Sequence, residues 1–287
     1  MSTIAHNFLG LPEERSAYST AKAVVLPIPY DLTLSYLAGA RHGPAAILAA
    51  SRQVETFDHK LGLDVSEIGI ATMPELEQAA ASPEEMQRVI FDACGALLDD
   101  GKFVLALGGE HSITAALVAA HARRFDGVSV LQIDAHTDLR ESYQGSRYSH
   151  ACVMARVAET APFMSVGIRS YSGNDNEKRF CARLISPEEF RNNAEIFEKI
   201  MAGLTDNVYI TVDLDGFDPA VVPAVGTPEP GGLHWDEVML LLENLAKNKK
   251  IVGADVVELS PRHGLEYADF AAAKLCYKLI GLGFFGK

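Results

Sequence analysis

The stretch VSVLQIDAHTD, residues 128–138, decides how this chain folds. Its first six residues carry no charge and are mostly aliphatic, the composition of a short strand buried on both faces. Polar chemistry starts where the strand stops. Side chains two apart on extended backbone share a face, so Asp134, His136 and Asp138 converge just beyond the strand. Two carboxylates and an imidazole at one point suit a divalent cation.

An apolar run followed by polar residues recurs along the sequence. FVLAL at 103–107 leads into Gly108-Gly109-Glu110-His111, YITV at 209–212 into Asp213-Leu214-Asp215, and IVGADVV at 251–257 into Glu258. Strands are predicted at 23–27, 103–107, 128–133, 163–168, 208–212 and 251–257. Helices are predicted at 44–51, 83–99, 113–124, 187–203, 235–247 and 268–281. SPEE at 82–85 and again at 186–189 reads as a helix start, with Ser as cap, Pro in the first turn and acids at the positive end of the helix dipole. The alternation predicts an α/β fold, a three-layer α/β/α arrangement around a central parallel sheet. No repeat or linker interrupts it, so a single domain over 1–287 is expected.

Ligands of open parallel sheets bind beyond the carboxyl ends of the strands. One acid or histidine at such an end is usually a cap or a satisfied core residue; four strand ends carrying such groups to one edge are not explained that way. His111, Asp134, His136, Asp138, Asp213 and Asp215 exceed what one ion needs, and a two-metal site is the reading. Loops 140–148 and 217–232, the latter rich in Pro and Gly, are long enough to carry function.

Composition narrows the partners. Apolar residues at 48% and charged residues at 22% allow a large packed core. The net charge of −13, from 38 acidic and 25 basic residues, repels phosphate backbones and favours a small cationic ligand, so no nucleic-acid partner is expected. No apolar run approaches the roughly 20 residues of a membrane helix; the C-terminal segment is broken by Lys274 and Lys278. The opening MSTIAHNFLG lacks the basic and apolar regions of a leader. A cytoplasmic protein with no membrane partner is the expectation. Cys94, Cys152, Cys181 and Cys276 form no C-x-x-C pair and read as reduced thiols; Cys152, two residues after His150, reads as packing rather than as a nucleophile.

The motifs LGGEHSIT at 107–114, LQIDAHTD at 131–138, VDLDGFDPAVVPAVGTPEPGG at 212–232 and VVELSP at 256–261 are long and specific. Through them the chain resembles the ureohydrolases, the arginase and agmatinase family, from about Val24 to the C-terminus, and looks most like their prokaryotic agmatinase branch. The resemblance implies an arginase-like fold and two manganese ions per chain. One would be held by His111, Asp134, Asp138 and Asp213, the other by Asp134, His136, Asp213 and Asp215, with Asp134 and Asp213 bridging. A carboxylate-rich set without thiolates suits manganese better than zinc, and its imidazoles leave zinc, nickel or cobalt open.

Two metal ions make water a nucleophile at neutral pH, and the family's target is a guanidinium carbon, cationic and resonance-stabilised. Glu258 matches the family's guanidinium-binding glutamate, with a structural strand-end acid as its plain alternative. Asp138 is a candidate proton acceptor during attack. His150, in YSHA at 148–151, matches the family's proton shuttle for the leaving amine. Ala151 and Ala224 stand where many relatives have Gly. Asp218, Thr227 and Glu229 either line the substrate channel or hold the 217–232 loop together. Arg169 reads either as a subunit brace or as part of an internal salt bridge.

The resemblance implies hydrolysis of a guanidino group to urea and an amine, with agmatine as first choice. Arginases carry an Asn at the position of Arg140 to read the amino acid's carboxylate, which disfavours arginine here. Arg140 leaves 4-guanidinobutyrate open, and N1-aminopropylagmatine, a longer polycation, also fits. Two rivals belong to other classes: a single-zinc, deacetylase-like amidohydrolase, which would leave His111 and Asp138 without a purpose, and a non-catalytic relative, which should have lost a ligand or the shuttle. Trimers or hexamers are the implied assembly.

Overall fold

Apolar runs without polar alternation must be covered on both faces, and the structure, a computed structural model that describes residues 7–79 and 82–286, covers them in this way. Residues 1–6, part of the stretch read for a leader, lie outside the described residues. The strands are β1 (Ala23–Ile28), β2 (Phe57–Asp58), β3 (Leu63–Asp64), β4 (Ile70–Thr72), β5 (Phe103–Gly108), β6 (Val128–Ile133), β7 (Phe163–Val166), β8 (Leu184–Ile185), β9 (Asn207–Asp213) and β10 (Lys250–Val257). Eight of them form one sheet in the order β4-β1-β5-β10-β9-β6-β7-β8, with every neighbouring pair parallel. The short β2 and β3 pair antiparallel as a separate ribbon.

The helices are α1 (Glu13–Ser16), α2 (Gly43–Ser51), α3 (Pro83–Asp99), α4 (Thr114–Arg124), α5 (Val153–Val157), α6 (Asp175–Phe180), α7 (Pro187–Asn192), α8 (Ile196–Ala202), α9 (Trp235–Asn248) and α10 (Glu266–Phe285). Successive side chains of a strand enter opposite layers: Ala23 and Val25 join one core, Val24 and Leu26 the other. Ile47 of α2, Leu241 of α9 and Leu275 of α10 fill the first. Met86 of α3, Leu117 of α4 and Val153 of α5 fill the second. The three-layer α/β/α expectation is met.

Both SPEE segments start helices as read, with the Ser82 hydroxyl accepting from the Glu85 amide at 3.2 Å and the Ser186 hydroxyl from the Glu189 amide at 3.1 Å. The helix predicted over 187–203 is two. It stops at Asn193, whose backbone is extended and whose side-chain oxygen accepts from the Glu195 amide at 3.0 Å, a local bond that competes with the helix. The edge strands β4 and β8, the ribbon, and the short α1, α5 and α6 were not anticipated. No helix among the described residues is long and apolar enough to cross a membrane.

Candidate metal centre and substrate cavity

The four central strands β5, β10, β9 and β6 are consecutive in the sheet, and their carboxyl ends are level. Val256 pairs with Leu107, Val257 with Asp213 and Ile133 with Val212. Neighbouring strands lie about 4.8 Å apart, so the residues that follow them, His111, Glu258, Asp215 and Asp134, share one edge by construction.

Side chains close the remaining distance. His111 Nδ1 lies 3.1 Å from Asp134 Oδ2, 3.2 Å from Asp138 Oδ2 and 3.3 Å from Asp213 Oδ2. His136 Nδ1 lies 3.0 Å from Asp215 Oδ2 and 3.8 Å from Asp134 Oδ1. Two groups result that could each hold a metal ion, His111 with Asp134 and Asp213, and Asp134 with His136 and Asp215. Asp134 belongs to both and turns one oxygen to each histidine. Asp213 belongs to the first; its other oxygen accepts the Asp215 amide at 3.0 Å.

A metal fits this donor set. The Thr211 hydroxyl donates to Asp255 Oδ1 at 2.6 Å, so toward His111 Nε2, 2.9 Å away, it offers lone pairs. Nε2 therefore carries the ring hydrogen, and the Nδ1 lone pair points at three carboxylate oxygens. Nδ1 is buried without a hydrogen-bond partner. Electron pairs meeting in this way repel unless a cation or a proton lies between them. The surrounding charges say the same: burial alone would depress the His111 imidazole, yet Asp134, Asp138 and Asp213 outweigh it and push it well above its ordinary value. Burial and the charges of Asp138 and Asp215 push Asp134 up to about 7. The bonds around the ligands hold them in place: Asp134 accepts from Gln132 Nε2 at 2.7 Å and from the His136 amide at 2.6 Å, and Asp215 from the Ala135 amide at 3.1 Å.

His136, Asp138, Asp213 and Asp215 of the centre line a cavity of about 180 Å³, together with Glu258, His150, Arg140, Thr227, Tyr36 and Tyr171. Glu258 is buried; its Oε1 accepts the His111 amide at 2.8 Å, and burial, reinforced by the charge of Glu110, pushes its carboxyl well above the usual range. A cationic ligand would restore the ionised form. Glu258 and Asp138 have φ of +65° and +51°, left-handed backbone that side chains other than those of Gly, Asn or Asp seldom adopt. Burial pushes the His150 imidazole below its ordinary value, against the pull of Asp138. Arg140 stacks over Tyr143 with its guanidinium carbon 5.1 Å from the ring centre, and Tyr143 meets His150 edge-on at 6.0 Å.

Thr227 reaches the site, donating to Asp215 Oδ2 at 3.2 Å. Asp218 does not: its carboxylate accepts the amides of Ala220, Gly231 and Gly232 at 2.9, 2.9 and 3.1 Å, tying the ends of the 217–232 loop together outside the cavity lining. Arg169 braces that loop from within, donating to the carbonyls of Asp215, Pro230 and Glu229 rather than to an acid. Cys152 is buried, and burial pushes its thiol up to about 11, away from nucleophilic use.

Three polar residues escaped the sequence reading: Thr33, Thr211 and Asp255. Thr33 lies in the loop that follows β1. That loop too follows the carboxyl end of a strand, the edge where ligands of parallel sheets bind. Thr211 and Asp255 sit inside β9 and β10, where no local pattern separates them from tolerated polar residues of a strand.

A family model described as the arginase family matches residues 21–281. The N(1)-aminopropylagmatine ureohydrolase of Synechocystis sp. is 41% identical over 94% of this chain and 91% of its own, and that of Thermus thermophilus is 42% identical over 94% and 93%. The crystal structure of the agmatine ureohydrolase of Thermoplasma volcanium superposes with a TM-score of 0.85 at 36% identity, over 94% of this chain and 92% of that one. Matched along nearly its whole length by model, sequence and fold, the chain belongs to the arginase family.

Proposed function

We propose that this protein is a binuclear metal hydrolase that cleaves the guanidino group of a linear polyamine precursor to urea and an amine. The observation that carries the reading is the pair of ligand groups sharing Asp134, whose His136, Asp213 and Asp215 line one cavity with Glu258. His111, Asp134, Asp138 and Asp213 would hold one ion, and Asp134, His136, Asp213 and Asp215 the other, with manganese favoured by the carboxylate-rich donor set. Bound there, such a pair supplies water acidified enough to attack at neutral pH. Glu258 binds and orients the guanidinium, which needs a carboxylate partner once it leaves bulk water. Asp138, in the same lining, takes up the proton released on attack. His150, on the wall, gives a proton to the leaving nitrogen as the carbon–nitrogen bond breaks and its electron pair goes to that nitrogen.

On substrate, the relatives move N1-aminopropylagmatine ahead of agmatine, the first choice from sequence. Tyr36 and Tyr171 at the mouth are 73% and 55% exposed, an open rim past which a chain longer than agmatine can extend. Arg140 keeps 4-guanidinobutyrate as a second reading. Urea release from N1-aminopropylagmatine, agmatine, 4-guanidinobutyrate and arginine, measured with manganese, cobalt, nickel and zinc, tests the proposal. The polyamine precursors should lead in kcat/KM; preference for either carboxylate-bearing substrate would overturn the ranking, and no urea from any would overturn the reaction. Sedimentation should find trimers or hexamers, and a monomer at micromolar concentration would count against that assembly.

A further inference from the structure

Resting on the reading of His150 as proton donor to the leaving nitrogen, we propose that Thr33, backed by Glu110, is a positioning residue that fixes which ring nitrogen of His150 carries the permanent hydrogen. Thr33 is 77 residues from Glu110 and 117 from His150 in sequence, and the fold sets it between them. The Glu110 carboxyl is wholly buried and surrounded by donors: the Thr33 amide at 2.5 Å, the Thr33 hydroxyl at 2.8 Å and the Ser112 hydroxyl at 2.5 Å. Burial pushes this carboxyl up to about 7 against the pull of those three donors, and in its ionised form it can only accept.

The single hydroxyl hydrogen of Thr33 is thereby directed to Glu110, and its oxygen has only lone pairs for His150. It takes the His150 backbone amide at 3.0 Å and stands 3.2 Å from Nδ1. Nδ1 must then be the N–H. Ser149 Oγ, at 3.4 Å, is the more distant neighbour of that nitrogen. The proton that His150 exchanges is therefore on Nε2: the imidazolium gives it to the leaving nitrogen and returns to the neutral Nδ1–H ring. The loop bearing Thr33 is docked tightly enough to hold the arrangement. The Glu110 amide donates to the Tyr30 carbonyl at 2.7 Å, and a methyl on Gly109 would lie 2.1 Å from that same oxygen. Asp255, Thr211 and His111 repeat the arrangement on the metal side of the cavity.

Thr33→Val and Thr33→Ser test the inference in the full chain loaded with zinc, which leaves nuclear magnetic resonance lines sharp. Imidazole nitrogen shifts of isotope-labelled histidine report the tautomer, with His150 assigned by the signals missing in His150→Asn. The wild type and Thr33→Ser should hold the Nδ1–H form, and Thr33→Val should lose it. In the urea assay Thr33→Val should lower kcat by about 10- to 100-fold, part of the ~10²–10⁴ of general acid catalysis, with KM and metal content unchanged and with Ser restoring most of the rate. An Nε2–H ring in the wild type, identical His150 signals in Thr33→Val, or a variant that loses metal along with rate would overturn it. If no guanidino compound releases urea, the reading of the reaction fails while the tautomer spectra still decide the role of Thr33.

Discussion

Exchange of Thr211 for Val removes one oxygen and leaves the side chain's outline nearly intact. That oxygen accepts from His111 Nε2 at 2.9 Å and donates to Asp255 at 2.6 Å. Asp255 keeps the hydroxyls of Thr114 and Tyr209 on Oδ2 at 2.9 and 2.8 Å but loses the donor to its Oδ1, and the Nε2–H of a fully buried ring loses its acceptor. An unpaired buried donor costs about 1–3 kcal/mol. The ring avoids this only by moving its hydrogen to Nδ1, toward carboxylates 3.1–3.3 Å away, where that hydrogen competes with the metal. Either route weakens the ion. At about 1.4 kcal/mol per tenfold, the His111 group should lose roughly 5- to 150-fold in affinity. The group built on His136 does not touch Thr211 and should change far less. Equilibrium dialysis against a buffered manganese series, read by elemental analysis, should show one ion retained per chain where the wild type holds two, and Thr211→Ser should restore the second. Unchanged affinity, or equal loss at both groups, would refute the argument.

Asp134→Asn removes the carboxylate common to both groups and should abolish metal content and urea release together. Glu258→Gln should keep both ions and lower kcat/KM by about 10- to 150-fold, the worth of a charged hydrogen bond; elemental analysis beside the urea assay separates the two outcomes, and two ions per chain in Asp134→Asn would sink the sharing. His150→Asn should lower kcat by roughly 10² to 10⁴ with metal retained, and a variant that keeps most of its rate would return His150 to an ordinary wall residue. Gly253→Ala would put a methyl 2.2 Å from Nε2 of the buried His121; overpacking of this kind costs about 1–3 kcal/mol and should lower the melting temperature by a few degrees with kcat unaltered. A melting temperature equal to wild type would mean that the ring swings aside.

Much of this was legible in the sequence, for a physical reason. A strand buried on both faces is written as an unbroken apolar run, and ligands at its carboxyl end follow within a few residues, so β5, β6, β9 and β10 announced both the sheet and the metal groups. The edge strand β8 is two residues long and carries no period to read. The break between α7 and α8 lies at Asn193, where a side chain outcompetes the helical bond, an effect too local for periodicity. Thr33 and Thr211 were invisible because their roles come from partners 77 to 117 residues and 44 to 100 residues away. Asp218 shows the converse: a motif places a residue in a loop without saying which way it faces.

The left-handed backbone at Glu258 sets a limit on how this protein can be improved. Such backbone costs about 1 kcal/mol or more for a side chain like that of Glu, and Gly or Asn would relax it. Each of those replacements removes a carboxylate from the cavity. A laboratory selection that rewards heat resistance alone would therefore enrich the substitutions that erase the chemistry, and its most robust survivors would be inert. Engineering toward robustness has to begin elsewhere, at positions whose preferred backbone and present duty agree.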